Sequence, residues 1–247
     1  MNNLAVQVRD LSFAYADGTE ALKSVCFDIT QGSAVALVGA NGAGKSTLLL
    51  HLNGCLLPAG GQVRVGDIVV TPQTVAQARR AVGMVFQNPD DQLFMPTVEE
   101  DVAFGPLNSG LSGEPLKVRI AAALTQAGVE HLRHRPPYRL SAGEKRSVAI
   151  ATVLAMDPDV LVMDEPSSNL DPRSRRRLIE LLRSFPHTRI IASHDLELVV
   201  EVCDRSIVLG GGRVVADGPT RQVLNDEALM LAHGLERPHI LRHLHPH

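Results

Sequence analysis

The chain has 247 residues, of which 45% are hydrophobic and 21% charged, and it carries a formal net charge of −3 at pH 7. That is enough apolar chain for one large core or two modest ones, and the acidic balance argues against a broad nucleic-acid-binding surface, which is normally basic. Three scattered cysteines, Cys26, Cys55 and Cys203, argue against a disulfide framework and fit a reducing compartment.

Met1-Asn2-Asn3 lacks the basic and apolar regions of a signal peptide. No apolar run approaches the ~18 residues of a membrane-spanning helix. A soluble chain is expected, one that can still dock on a membrane protein. Leu4-Ala5-Val6-Gln7-Val8 alternates like a half-buried strand, Ser12 to Tyr15 is a second short extended piece, Asp17-Gly18 marks a turn, and Val25 to Ile29 alternates again. The apolar run Ala34 to Val38 then reads as a buried strand feeding Gly39-Ala40-Asn41-Gly42-Ala43-Gly44-Lys45-Ser46-Thr47, a full match to the phosphate-loop pattern G-x-x-x-x-G-K-[ST]. Leu48 to Leu52 continues it as a packed helix. The glycines allow the backbone to curl with its N–H groups inward, and the new helix adds its positive end, so the stretch is a nest for nucleotide phosphates. Lys45 is placed to reach the β- and γ-phosphates, and the Ser46 hydroxyl to ligate Mg²⁺.

Further along, Gln62 to Val65 and Ile68 to Val70 flank Gly66-Asp67 as a hairpin, which suggests an antiparallel sheet beside a central parallel one. From about Asn88 to Pro158 the pattern is mostly helical. Thr97 with Glu100 forms a capping box. Glu114 to Gln126 carries Leu116, Ile120, Ala123 and Leu124 at helical spacing and ends at Gly128. Pro136-Pro137 breaks the chain, and Ser141 with Glu144 forms a second capping box ahead of Val148 to Leu154.

Strand and helix alternation then resumes: Val160 to Met163, a helix after Asp171-Pro172, Arg189 to Ala192, a helix after Asp195, and Ser206 to Leu209. This is the signature of a parallel sheet covered by helices. Asp164-Glu165 closes the first of these strands, and an acid at the carboxyl end of a parallel strand sits in the usual ligand crevice. Alone, such a pair reads more often as a helix cap. Downstream of a complete phosphate loop, Asp164 reads as a Mg²⁺ ligand through water and Glu165 as the base that polarises a water for attack on the γ-phosphate. Arg173 and Arg175 to Arg177 read as a solvated helix face. His233, His239, His243, His245 and His247 make the end of the chain histidine-rich, either a transition-metal-binding tract or a polar tail.

Leu140-Ser141-Ala142-Gly143-Glu144-Lys145-Arg146 resembles the signature segment of ABC ATPases, commonly L-S-G-G-Q, with Ala142 in place of the first glycine and Glu144 in place of glutamine. The other marks of that family follow in order: Tyr15 matches the aromatic that stacks on adenine, Gln87 the glutamine that contacts Mg²⁺ and the attacking water, Ser168-Asn169-Leu170-Asp171 the D-loop, and His194 the switch histidine that senses the γ-phosphate. The resemblance implies an α/β fold with a phosphate-loop NTPase core, a lateral antiparallel sheet and an inserted helical subdomain at about 88–158. It extends over residues 1–235, leaving 236–247 as a histidine-rich tail. It implies ATP and Mg²⁺ bound by Gly39, Asn41, Gly42, Gly44, Lys45, Ser46 and Thr47, with Gln87 and Asp164 on the metal and Glu165, Gln87 and His194 catalytic. It also implies that Ser141, Gly143, Glu144 and Asp171 meet the nucleotide held by a second subunit, identical or related.

A finer likeness lies in Gln87-Asn88-Pro89-Asp90-Asp91-Gln92-Leu93-Phe94 and in Pro96 to Pro106, which resemble the ATPases of energy-coupling factor importers, especially the cobalt and nickel type. That implies a peripheral subunit on the cytoplasmic face of the membrane. It would dimerise beneath a transmembrane coupling protein and a substrate-capture component, and import a metal ion or, alternatively, a vitamin. Leu93 and Phe94 read either as residues packed under the next helix or as the rim of a groove for a partner's helix. A soluble ABC factor acting on ribosomes or DNA is the other class. Such factors usually carry two fused cassettes or a long coiled coil, and this chain shows neither.

Overall fold

The computed structural model describes residues 4–242, so Met1 to Asn3 and His243, His245 and His247 lie outside the described residues. β1 (Leu4–Ala14) and β2 (Glu20–Thr30) form an antiparallel hairpin. The two extended pieces expected at its start are one strand. Its register shifts between Val8 and Leu11, and Asp10 takes a φ of 47°, so a bulge breaks the alternation that sequence reading relies on.

The chain continues through β3 (Ala34–Val38), α1 (Lys45–Leu52), β4 (Gly60–Val65), β5 (Ile68–Val69), α2 (Val75–Ala81) and β6 (Val82–Val85). Three helices follow before the next strand: α3 (Val98–Asn108), α4 (Gly113–Gln126) and α5 (Ala142–Leu154). Thr97 caps α3 by accepting from the Glu100 N–H at 3.3 Å. The remainder is β7 (Val160–Asp164), α6 (Pro172–Ser184), β8 (Thr188–Ala192), α7 (Leu196–Val202), β9 (Arg205–Gly210), β10 (Arg213–Pro219), α8 (Thr220–Asn225), α9 (Glu227–Ala232) and α10 (His239–Arg242).

β2-β1-β4-β5 form an antiparallel sheet, and β10-β9-β3-β8-β7-β6 form the other, parallel except where β10 pairs with β9. The fold is therefore α/β with a lateral antiparallel sheet, as the resemblance implied. β3 explains the layering. Every residue of it is buried: Val35 and Leu37 face α1 and the antiparallel sheet, while Ala36 and Val38 join the core under the helices of the opposite face. A strand covered on both faces loses polar alternation, which is why it reads as a continuous apolar run. α1 lies between the two sheets, with Leu48, Leu49 and Leu52 fully buried.

Some elements were not legible. β6 is a four-residue strand broken in pattern by Gly83, where a Cβ would stand 2.3 Å from Val153 Cγ1 of α5. The glycine permits the helix to seat on the strand. α2, β10, α8 and α9 were also missed. The stretch expected to be a tail from residue 236 begins as part of the fold. Leu235 and Leu241 are buried in the core under the helices, and the Ile240 N–H donates to Glu197 Oε1 at 3.2 Å.

Candidate active site

Four adjacent parallel strands, β3, β8, β7 and β6, end on the same edge of the sheet. Each releases a loop there: Gly39 to Gly44 after β3, Ser193-His194 after β8, Asp164-Glu165 at the end of β7, and Phe86-Gln87 after β6. Parallel pairing thus gathers residues about 150 positions apart into one crevice, the position where open α/β sheets bind ligands. The crevice is a cleft of about 620 Å³ lined by Tyr15, the whole 39–47 loop, Gln87, Asp164, Glu165 and His194.

The loop has the shape its glycines permit. Gly44 has a φ of 102°, and a Cβ on it would meet the Ala21 carbonyl oxygen at 2.6 Å; one on Gly39 would meet the Leu209 carbonyl oxygen at 2.5 Å. No side chain caps the amino end of α1, so that end is open to an anion. Lys45 is buried, and its Nζ donates to the Gly39 carbonyl at 2.7 Å and the Ala40 carbonyl at 3.2 Å. Its charge is thus stored over the loop. The Tyr15 hydroxyl lies 2.8 Å from Thr47 Oγ1, and its ring meets Phe13 edge-on, so a half-exposed aromatic platform is tethered to the first turn of α1.

The two carboxylates differ. Asp164 is 5% exposed and its Oδ1 is buried with no hydrogen-bond partner. A buried carboxylate oxygen without a partner is costly unless a cation or water meets it, so this donor suits a hard divalent ion. Glu165 has a φ of 46° and donates its N–H to the Ala192 carbonyl at 2.8 Å. That conformation is strained for a residue with a Cβ, and it turns the side chain toward β8. Its Oε2 accepts from the His194 N–H at 3.1 Å and lies 2.7 Å from His194 Nδ1. The expected base and the expected sensor are therefore in direct contact.

Ser141, Gly143, Glu144 and Asp171 do not line this crevice; the first three line a separate cleft beside α6. The Ser141 capping box is complete, since Glu144 Oε2 accepts from the Ser141 N–H at 2.8 Å and Ser141 Oγ accepts from the Glu144 N–H at 3.3 Å. The Ser141 amide and hydroxyl hold the Glu144 carboxyl below the usual carboxylate range. Ala142 opens α5 with no positive φ, so alanine there costs nothing in backbone conformation. Gly143 is the constrained position, because a Cβ would approach Ser174 Oγ to 2.3 Å. Asp171 caps α6, accepting from the N–H groups of Arg173 and Ser174 and from Ser174 Oγ at 2.6 Å.

The structure divides the apolar pair Leu93-Phe94. Leu93 is 8% exposed and packs in the core, whereas Phe94 is 61% exposed and meets the half-exposed Phe104 edge-on at 4.9 Å. The arginine run is a solvated face except at Arg175: Arg173, Arg176 and Arg177 are exposed, whereas Arg175 is half-buried and makes two hydrogen bonds to Asp195, at 2.7 and 2.9 Å; the exposed Arg176 also binds Glu201 at 2.8 Å. Sequence reasoning also missed Thr19, Glu20, Ala21, Gly234 and Leu235, which complete the crevice wall. The turn beside Tyr15 hinted at the first three; nothing hinted at the last two.

A phosphate nest, a buried unpartnered carboxylate oxygen and a second carboxylate on one strand edge mark the class of phosphate-loop nucleoside triphosphatases. Residues 22–168 match the family model described as ABC transporter. A Geobacter sulfurreducens protein of the ABC transporter ATP-binding class is 60% identical over 238 residues, 96% of each chain. An energy-coupling factor transporter ATP-binding protein of Methanothermobacter thermautotrophicus is 44% identical, covering 94% of this chain and 76% of its own length. Among solved structures, the Clostridium perfringens protein cbiO1, part of the transporter complex cbiONQ, superposes with a TM-score of 0.83 at 36% identity over 97% of this chain and 98% of its own. A cassette solved as a dimer with ADP and phosphate gives 0.78 at 28% identity over 87% of this chain and 98% of its own. The chain belongs to the ABC transporter family and is an ABC-type ATPase, resembling the ATP-binding proteins of energy-coupling factor transporters. Among the described residues, no helix is long and apolar enough to cross a membrane.

Proposed function

We propose that this chain is the ATP-hydrolysing subunit of an energy-coupling factor importer. It works as a homodimer or heterodimer on the cytoplasmic face of the membrane, beneath a transmembrane coupling protein and a capture component, with cobalt or nickel as cargo. The observation that carries the reading is the likeness to cbiO1 over nearly the whole of both chains, together with the exposed Phe94 and Phe104 beside the Gln87 loop. An exposed aromatic pair on a short helical subdomain is suited to receive an apolar helix from a partner.

The site's geometry supports the following mechanism. ATP phosphates fit the 39–44 nest, and Lys45 leaves the Gly39 and Ala40 carbonyls to reach them. Ser46, Gln87 and Asp164 would hold Mg²⁺, which offsets charge on the β- and γ-phosphates when bound. Tyr15 offers its ring to the base. Glu165 takes a proton from the attacking water, and His194 must first release Glu165 Oε2 and turn toward the γ-phosphate. Ser141 and Gly143 lie outside their own crevice, which suits them to serve a second subunit's nucleotide, with Glu144 and Asp171 setting the segments that carry them.

The test is transport. The complex is purified from native membranes through this subunit, its membrane components are identified by mass spectrometry, and it is reconstituted in proteoliposomes. We expect ATP-dependent uptake of Co²⁺ or Ni²⁺. Uptake of a vitamin instead would move the cargo and keep the mechanism; the absence of any membrane component would sink the importer reading.

A further inference from the structure

The last turn of α1 carries His51, one turn beyond Thr47, and its side chain is wholly buried. Its Nδ1 lies 2.7 Å from the Thr47 carbonyl oxygen. A carbonyl only accepts, so Nδ1 carries the ring proton. That leaves Nε2 as an acceptor, and it is buried with no hydrogen-bond partner. Burial holds the imidazole pKa below the ordinary histidine value, against the opposing pull of the Thr47 and Leu57 carbonyls, so the ring is neutral at pH 7. A buried nitrogen without a partner is costly. Leucine would fill the place without it, as Leu48, Leu49 and Leu52 do on the same helix.

One contact of the imidazole leads to the crevice. Phe13 of β1 meets it steeply tilted, with ring centroids 4.7 Å apart and planes at 74°. Phe13 in turn meets Tyr15 at 5.1 Å and 86°. The Tyr15 hydroxyl closes the circuit on Thr47 Oγ1, at 2.8 Å. Thr47 thus holds both ends, Tyr15 by its side chain and His51 by its carbonyl, with Phe13 between the two rings. Edge-on ring contacts depend on relative orientation, and the hydrogen bond to Thr47 fixes the turn of the imidazole on which Phe13 packs. Tyr15 is 41% exposed, so few neighbours hold its ring, and Phe13 is one of them.

We propose that His51 is a positioning residue for the nucleobase, one that seats Phe13 and through it holds the Tyr15 ring at the crevice wall. This rests on the reading of Tyr15 as the platform for the base. The two ends of the nucleotide are then held by different means. The 39–47 loop grips the phosphates, whereas the base rests on a stack of rings that begins inside the core. Histidine, phenylalanine and tyrosine act as one unit, so their effects on ATP binding do not add.

The experiment uses the full-length chain with His51→Leu, His51→Phe and Tyr15→Leu, and with each His51 substitution combined with Tyr15→Leu. It measures KM and kcat for Mg-ATP, inhibition by inorganic tripolyphosphate and thermal stability. Both His51 variants should raise the KM by about twofold to tenfold, the scale of one aromatic contact, with kcat near wild type. Tripolyphosphate has no base, so its inhibition constant should not move. In the Tyr15→Leu background neither His51 substitution should raise the KM further. The chain has two tyrosines, Tyr15 and Tyr138, and no tryptophan. In a Tyr138→Phe background the emission therefore reports Tyr15, and acrylamide should quench it more strongly once His51 is replaced. If His51→Leu does not fold, His51→Phe decides, since it keeps a ring beside Phe13 and removes the hydrogen bond. A folded variant that weakens ATP and tripolyphosphate alike overturns the proposal and makes His51 a support of the phosphate loop. Additive effects in the double variants overturn it too, as does a wild-type KM in the His51 variants when Tyr15→Leu raises it. An unchanged KM in Tyr15→Leu itself removes the platform reading, and the proposal with it.

Discussion

The nucleotide crevice and the face of the helical subdomain solve opposite problems. In the crevice several charged and polar groups are already engaged: Lys45 rests on its own loop, Tyr15 on Thr47, and Glu165 on His194. Asp164 Oδ1 is the buried oxygen left over. On α3 the engaged groups are apolar and internal, Val98, Val102 and Ala103, while Phe104 and Leu107 are 42% and 50% exposed beside Phe94. A site for a small charged substrate can hold its groups in provisional contacts and exchange them when the substrate arrives. If the helical face docks a macromolecule as proposed, its aromatic rings have no such option and stay in water until a partner covers them.

The largest break in that comparison comes from removing the base. Glu165→Gln keeps the shape of the crevice and removes the proton acceptor. We expect hydrolysis to fall about 10²–10⁴-fold, the scale of a lost general base, while ATP binding persists. With turnover blocked, ATP should hold two subunits together, which light scattering with Mg-ATP would reveal. Near-normal turnover would mean the base is another group, and a strictly monomeric variant would mean the site is complete in one chain.

The helical face is tested by separating what the sequence presents as a pair. Leu93→Ala should destabilise the fold by about 2–4 kcal/mol, as buried leucine truncations do, seen as a lowered denaturant midpoint. Phe94→Ala with Phe104→Ala should shift stability far less, because both rings are partly in water. That double variant should instead fail to assemble with the membrane components in pull-down, with ATPase activity of the free subunit unchanged. Normal assembly by the double variant would put the docking surface elsewhere.

Why the crevice was legible and the helical face was not follows from where each kind of information sits. Phosphate loop, Asp164-Glu165 and His194 each stand where a buried apolar run stops, so the chain itself announces strand end and chemistry together. Gln87 was found by resemblance, because its strand is short and interrupted by Gly83. Leu93 and Phe94 are neighbours of the same type, and only the seating of α3 on α5 decides which one is inside. Arg175 misled for the same reason. A run of arginines looks solvated until α7 supplies Asp195 as partner. Burial raises the Asp195 pKa, but the hydrogen bonds and charge of Arg175 outweigh it and hold the carboxyl below its usual range. Gly234 and Leu235 reach the crevice through the tertiary fold alone, with no local mark.

The smallest expected effect lies at the end of the chain. Neutral imidazoles suit Ni²⁺, Co²⁺ and Zn²⁺, and five histidines fall between His233 and His247. Among the described residues no group of three or more potential metal-binding side chains is assembled, so any site must draw on His243, His245 and His247. Only the unprotonated rings bind metal, so uptake should fade as pH falls through about 6.5, the ordinary histidine pKa. The cut must respect the fold. Removing residues from His239 onward also removes Leu241, which is 1% exposed, and should lower stability. Removing 243–247 spares it. Calorimetric titration with Ni²⁺ and Co²⁺ should then show metal uptake lost on the shorter deletion, with ATPase activity intact. Equal uptake by both proteins would reduce the histidines to a polar terminus and leave the metal cargo resting on the likeness to cbiO1 and to cobalt and nickel importer ATPases around Gln87.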